Sequence, residues 1–242
     1  GRLHTKVCQI NHERLTLIVA DTAPMLYFGT RTRFKSVQAA RAGAIAAWAA
    51  VRDGDRIAAL RGSLREAPIV PASGSRGALR VLDAMVRWYA QPPEHDAGLA
   101  VALDHADRLL RPGSRLVVLA DPLSVASLPP SRWPTLVQHR EVIVLLLTDP
   151  LEREPPRAKL PFLVQRVLVR REESAAHREL EMQRVERGLA SDAQRERWRA
   201  PFTTPLEEAL SILARNGIRA RALSTDAPSE SWLDLFAGTR AA

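Results

Sequence analysis

Cysteine is nearly absent from this sequence of 242 residues, in which Cys8 is the single example. One cysteine cannot form an intrachain disulfide, which excludes the class of small secreted domains held by several disulfides and favours a reducing compartment. Long apolar runs are also missing, since none approaches the roughly 20 residues that span a bilayer. We therefore expect a cytoplasmic chain and no membrane contact by this segment.

Lysine is scarce as well, with single occurrences at positions 6, 35 and 159, although Lys and Arg together number 35 and the net charge is +8. The arginines are scattered and often stand beside acidic residues, as in Arg178-Glu179 and Arg195-Glu196-Arg197. The sequence lacks the basic stripe with interleaved aromatic residues that single-stranded nucleic-acid binders use. We therefore do not expect the chain to bind nucleic acid.

Short apolar runs predict buried strands at residues 15–20, 115–120 and 142–147. Each run is apolar on both faces, as is typical of strands in a parallel sheet covered by helices. Segments with helical periodicity separate them, which predicts an α/β fold: a Rossmann-like, doubly wound, mostly parallel sheet with helices on both faces. We expect one domain over 1–242, with its core at about 15–150 and an extension at 151–242 packed on it.

Helical spacing predicts which side chains two long helices turn toward the core. In the Ala-rich helix at 36–52 these are Val37, Ala40, Ala44, Ile45, Trp48 and Val51. In the helix at 78–91 they are Leu79, Leu82, Met85, Val86 and Tyr89.

The C-terminal part of the chain changes character and becomes highly charged. Residues 172–199 are interpreted as a surface helix with Glu–Arg pairs at helical spacing, or alternatively as a partner-binding helix. A further helix is predicted to begin at Thr204 as its cap, with Pro205 in the first turn.

Two predicted strands end on an aspartate, Asp21 and Asp121. Parallel strands bring their carboxyl ends to one edge of the sheet, where α/β folds bind ligands. We expect the loops at 21–33, 73–77 and 121–127 to share that edge, with Leu26 among its apolar anchors. Besides the two aspartates, the candidate binding residues are Thr22, Met25, Tyr27, Phe28, Ser73 and Ser75.

Residues 29–36 match the phosphate-binding pattern G-x-x-x-x-G-K-[ST], except that Phe34 replaces the second glycine. An aromatic residue there prevents the backbone N–H groups from wrapping closely around phosphates. Nucleotide binding is therefore not expected. The interpretation is that Ser36 caps the following helix and Lys35 lies at its start.

Three segments carry a resemblance to a known family: 35–41 (KSVQAAR), 47–50 (AWAA) and 54–57 (GDRI). They resemble the bacterial domain-of-unknown-function family fifty-eight, which is associated with MoxR-type AAA+ ATPases. Further similar segments are His12-Glu13-Arg14, Phe28-Gly29-Thr30, and residues 119–121, 149–154 and 223–226. The resemblance implies a von Willebrand factor A-like domain. The family's acidic, tryptophan-containing N-terminal part is not found in the sequence, so we expect a fragment.

Von Willebrand A domains bind a divalent cation through D-x-S-x-S, a threonine of a later loop, and an aspartate after the fourth strand. The resemblance places Asp21 at the first position and Asp121 at the last, which makes them the candidate Mg²⁺ ligands. The serine positions hold Ala23 and Met25, which cannot ligate a hard cation. We therefore expect no cofactor and a degenerate metal-ion-dependent adhesion site.

Together these features predict a non-enzymatic protein–protein interaction module that works with a MoxR-type AAA+ ATPase in assembly or maturation of a complex. The alternative is a metal-dependent hydrolase or phosphotransfer enzyme that uses Asp21 and Asp121. Such an enzyme needs a general base and phosphate-binding groups, which the sequence does not offer at a recognisable spacing. No Ser-His-Asp order or nucleophile elbow is present either.

Overall fold

The computed structural model describes residues 14–172 and 175–237 and has a six-stranded sheet at its centre. The strands are β1 (Leu15–Ala20), β2 (Arg56–Arg61), β3 (Ile69–Ser73), β4 (Arg115–Ala120), β5 (Glu141–Thr148) and β8 (Arg219–Ser224). Their order is β3-β2-β1-β4-β5-β8, and all neighbours are parallel except β3, which is antiparallel to β2. This sheet confirms the predicted Rossmann-like class and is consistent with a von Willebrand A-type domain. Cys8 lies outside the described residues.

The helices are α1 (Lys35–Asp53), α2 (Gly74–Ala90), α3 (Gly98–Leu109), α4 (Pro122–Ala126), α5 (Arg132–Val137), α6 (Pro150–Arg153), α7 (Asp192–Arg215) and α8 (Asp234–Ala237), with a 3₁₀ turn at Pro24–Tyr27. Helices pack on both faces of the sheet. One core lies under α1 and α2, and the other lies under α3, α5 and the end of α7. Strand β1 serves both cores because Ile18 faces the first while Leu17 and Val19 face the second. Among the described residues, no helix is both long and apolar enough to span a membrane.

The most deeply buried face of helix α1 is not the one predicted. Its buried side chains are mostly alanines, while Val37 and Trp48 are each nearly half exposed. A Cβ atom at Gly43 would lie 3.2 Å from both Leu119 Cδ1 and Met85 Sδ. The space between helix and sheet therefore admits only small side chains. The prediction was wrong for Val37 and Trp48, because α1 carries two stripes of apolar residues and the small one fits this close approach. Ala40, Ile45 and Val51 of the predicted face are partly buried against the same core.

Helix α2 departs from its predicted face at two positions. Met85 and Tyr89 are buried as predicted and Leu82 is partly buried, but Leu79 and Val86 are exposed. The remaining buried positions on α2 are filled by Gly77, Ala78, Val81, Ala84 and Trp88. Four large apolar side chains of α1 and α2 are thus exposed: Val37, Trp48, Leu79 and Val86.

The chain divides into two compact units, one formed by Gly1–Pro150 with Thr204–Ala242 and the other by Leu151–Thr203. Strand β8 therefore extends the central sheet beyond the range 15–150 that we expected to form the core. In the second unit, β6 (Lys159–Glu172) and β7 (Ala175–Gly188) pair in antiparallel register.

The surface helix predicted at 172–199 is wrong for most of its length, because β7 runs to Gly188 and helix α7 begins at Asp192. Leu180 and Met182 alternate with charged residues in the sequence, a period of two that fits a strand. The helix predicted at Thr204 is present, but its predicted start is wrong, since α7 continues through Thr204 and Pro205.

A buried ion-pair network ties the strands together at their amino ends. The Arg115 side chain is almost fully buried; its Nε lies 2.8 Å from Glu141 Oε2 and its Nη1 lies 3.3 Å from Asp53 Oδ2. Its guanidinium also lies 3.7 Å from the ring centroid of Phe236. Arg14 Nη1 reaches the same Glu141 oxygen at 3.0 Å. These contacts join β4, β5 and the end of α1, which fixes the strands whose other ends carry the candidate site.

Candidate functional site

Buried aspartates follow three of the parallel strands at the carboxyl edge of the sheet: Asp21 after β1, Asp121 after β4 and Asp149 after β5. The strand register places these ends side by side, since Ala20 is opposite Leu119 and Ala120 is opposite Leu146. The structure thus brings Asp21 and Asp121 together and adds Asp149, which the sequence analysis did not single out.

The carboxylate of Asp21 accepts hydrogen bonds from the next strand end and from its own loop. Its Oδ2 accepts the N–H of Asp121 at 3.0 Å, and its Oδ1 accepts the N–H of Ala23 at 3.0 Å. Burial raises the pKa of the Asp21 carboxyl to about 6, because desolvation outweighs the lowering effect of hydrogen bonds from Ser124, Asp121 and Ala23. The Asp21 carboxyl is therefore buried, and its hydrogen bond with the N–H of Asp121 joins the end of β1 to the end of β4.

Asp121 forms a buried ion pair with Lys35, the first residue of α1. The Lys35 Nζ lies 2.7 Å from Asp121 Oδ2, and the lysine side chain is only 1% exposed. The other carboxylate oxygen, Oδ1, accepts the N–H of Leu123 at 2.9 Å and so caps α4. An ammonium group thus lies against the carboxylate to which the resemblance assigned a divalent cation.

The role of Lys35 was missed because Ser36 was expected to cap α1. The structure instead begins α1 at Lys35 after Phe34, which provides no side-chain cap, and buries Ser36. A signal was present in the sequence: a lysine in a chain whose cations are nearly all arginine. A compact ammonium fits a single buried carboxylate oxygen, whereas the wider guanidinium is suited to bidentate contacts.

Threonine hydroxyls donate hydrogen bonds to two further aspartates, Asp149 and Asp96. Asp149 accepts the N–H of Thr30 at 2.8 Å, the Thr30 hydroxyl at 2.5 Å and the Thr225 hydroxyl at 2.7 Å. The hydroxyl of Thr22 donates to Asp96 Oδ1 at 2.9 Å. Asp149, which follows β5, thus fastens the loops after β1 and β8 to the sheet, although it was not among the predicted site residues.

Ser73 and Ser75 are not part of this edge, although the loop at 73–77 was expected there. Ser73 pairs with Arg56, the first residue of β2, so it lies at the amino edge of the sheet. The reason is the short connection at 62–68, because a parallel crossover needs about a dozen residues or more. Strand β3 consequently runs antiparallel to β2, and its end points away from Asp21.

The loop after β1 packs inward more than expected. Leu26 is fully buried, and the Tyr27 hydroxyl donates to the carbonyl oxygen of Trp88 at 2.6 Å. Met25 and Phe28 are half-buried. Leu26, predicted as an anchor, and Tyr27, a candidate binding residue, therefore pack against the core.

Two apolar side chains that were not predicted are exposed next to the Lys35–Asp121 pair. Phe34 precedes Lys35 and is 53% exposed, and Leu123 lies in the first turn of α4 and is 47% exposed. With Met25 and Phe28, they form what we call the carboxyl-edge surface.

The residues at this edge do not fit the divalent cation that the fold family implies. Lys35 already lies against Asp121, and Ala23 and Met25 supply no oxygen from their side chains. Throughout residues 14–172 and 175–237, no group of three or more His, Cys, Asp or Glu residues could hold a metal ion. Positive charge at this edge is instead supplied by the protein's own lysine.

The sequence matches the model of one known protein family. The family model described as protein of unknown function DUF58 matches residues 1–198. The chain belongs to this family. Membership confirms the resemblance seen in segments 35–41, 47–50 and 54–57.

No curated protein matches the sequence of this DUF58 member. Among solved structures, it is similar to an aerotolerance-related membrane protein from Bacteroides fragilis NCTC 9343 that carries multiple mutations to serine. The two are 10% identical, the match covers 84% of this chain and 98% of that chain, and the TM-score is 0.40.

The ion pair predicts a large stability loss when its cation is removed. Lys35→Met should lower the free energy of unfolding by about 3–5 kcal/mol, because it leaves the Asp121 carboxylate buried without its ammonium. Urea denaturation at pH 7.5 measures the loss. The matched control is Lys159→Met, an exposed lysine whose loss should change stability by less than about 0.5 kcal/mol.

A second variant separates loss of charge from loss of packing. Lys35→Met combined with Asp121→Asn should be more stable than Lys35→Met alone, because the uncompensated carboxylate is gone. A Lys35→Met protein as stable as the wild type would show that the pair contributes nothing.

The raised pKa of Asp21 predicts how the free energy of unfolding changes with pH. Its pKa is about 6 in the folded protein against 3.8 as the ordinary value, so the folded chain binds more protons between these pH values. Stability from this group therefore increases as pH falls through 6. Relative to Asp21→Asn, the wild type should gain about 2 kcal/mol in unfolding free energy between pH 7.5 and 4.5, measured by urea denaturation. A constant difference, or one of opposite sign, would contradict the assignment.

Proposed function

We propose that this DUF58 chain is a non-enzymatic protein-interaction module that works with a MoxR-type AAA+ ATPase in assembly or maturation of a complex. The choice of partner comes from the family resemblance. The observation that carries the proposal is the buried contact between Lys35 Nζ and Asp121 Oδ2, at 2.7 Å. This contact pairs the Asp121 carboxylate, the central one of the edge, with a cation of the protein itself.

The condition of the aspartates supports this function over hydrolysis or phosphotransfer. A catalytic carboxylate must reach a substrate atom or a bound metal. Asp21, Asp121 and Asp149 are all buried, and each accepts hydrogen bonds from groups of its own fold. Their arrangement suits carboxylates that hold loops in position.

The exposed side chains of the same edge support a protein partner. Phe34 and Leu123 flank the buried ion pair, and each exposes about half of its surface. Rigidly held apolar side chains within a polar surface are typical anchors of protein interfaces. The ion pair fixes the first turn of α1 and the start of α4, so both anchors are held in place before binding.

The proposal is tested by removing the two anchors. Phe34→Ser with Leu123→Ser should weaken binding of the purified MoxR-type AAA+ ATPase at least tenfold in biolayer interferometry, because interface anchors carry most of the binding energy. The matched control is Leu64→Ser, which removes a highly exposed leucine elsewhere and should leave the dissociation constant within twofold.

Two results would contradict parts of this proposal. Absence of saturable binding by the wild-type chain would remove the ATPase as the partner. Binding by the double variant at wild-type strength would remove the carboxyl-edge surface as the contact.

A further inference from the structure

A groove of about 740 Å³ lies between the edge strand β3 and helix α2. Its apolar walls include Val70 and Leu79, which are 69% and 58% exposed. None of the residues that line this groove belongs to the carboxyl-edge surface. Large exposed apolar side chains grouped in a groove favour an occupant with apolar groups of its own.

A row of arginines lines the helical side of the groove. Arg76, Arg80 and Arg87 are four and seven residues apart, which places them within about 40° on one side of α2. Asp83 also lines the groove, and its Oδ2 lies 3.2 Å from Arg87 Nε. In the part of the chain that the structure describes, the side chains of Arg76 and Arg80 make no hydrogen bond or ion pair. The groove therefore presents net positive charge.

The dimensions of the groove fit an extended chain. From Arg76 to Arg87 the helix rises about 16 Å, and five residues in strand conformation span about 17 Å. Arg76 and Arg80 are about 6 Å apart along the helix axis, close to the roughly 6.8 Å repeat of alternate side chains in a strand. Carboxylates at alternate positions of an extended segment would therefore meet successive arginines.

The other side of the groove offers backbone groups. Strand β3 is at the end of the sheet order, and among the described residues it pairs with β2 alone. An unpaired edge presents N–H and C=O groups to an added extended segment. Pro71 removes one donor from that edge, so charge and apolar contacts must supply part of the specificity.

We propose that this groove binds an extended segment of a partner protein, with acidic residues at alternate positions and apolar residues between them. The carboxylates pair with Arg76 and Arg80, and the apolar side chains contact Val70 and Leu79. This inference rests on the proposed function of a protein-binding module, but it concerns a second surface.

The probe for the test is a fluorescein-labelled synthetic peptide of alternating glutamate and valine, seven residues long, titrated with the full chain in fluorescence anisotropy. Arg76→Glu with Arg80→Glu should weaken its binding at least tenfold. Arg108→Glu with Arg111→Glu makes the same change in net charge at two other exposed arginines and should stay within twofold of the wild type. Replacing the glutamates of the peptide by glutamine should also weaken binding at least tenfold.

Three outcomes would overturn the inference: no saturable binding by the wild type, equal weakening in both arginine variants, or tighter binding of a single-stranded polyuridine oligonucleotide through Arg76 and Arg80. The two proposals fail separately. The Phe34 and Leu123 double variant should bind the peptide like the wild type, and loss of peptide binding leaves the ATPase measurement unaffected.

Discussion

The buried ion pair between Lys35 and Asp121 is the contact on which the carboxyl edge depends. A buried pair is stable only where both charges find partners, since each has lost its water. Here the second oxygen of Asp121 caps α4, and its backbone N–H binds Asp21. Strands β1 and β4 and helices α1 and α4 therefore meet at one point. Loss of either charge would disturb all of them.

The sheet is held by polar groups at both ends and by apolar strands between them. The network at the amino ends of the strands includes Arg115 and Glu141. The network at the carboxyl ends consists of Lys35 and the buried aspartates. Since these charged groups are engaged within the fold, we propose exposed side chains such as Phe34 and Leu123 as the binding groups. This division of roles is the reason that we propose interaction rather than catalysis for the edge.

The parallel strands could be predicted because β1, β4 and β5 are apolar on both faces, and the meeting of Asp21 with Asp121 followed from their parallel ends. The direction of β3 could also have been inferred from its short connection, which would have excluded Ser73 from the site. Lys35 could not be paired by local pattern, because Asp121 lies 86 residues further along the chain. Nor could spacing show that α1 would bury its alanines and expose Trp48, since that depends on how closely the helix approaches the sheet.

The measurement that tests the central claim most directly is a calorimetric titration of the chain with Mg²⁺ and Mn²⁺, beside a variant with Asp21→Ala and Asp121→Ala. If Lys35 supplies the positive charge at this edge, the wild type should give no saturable heat at millimolar metal. Saturable binding that disappears in the double variant would contradict the account. It would show that the two aspartates bind a cation despite the lysine, and the metal-dependent enzyme would then become the better interpretation.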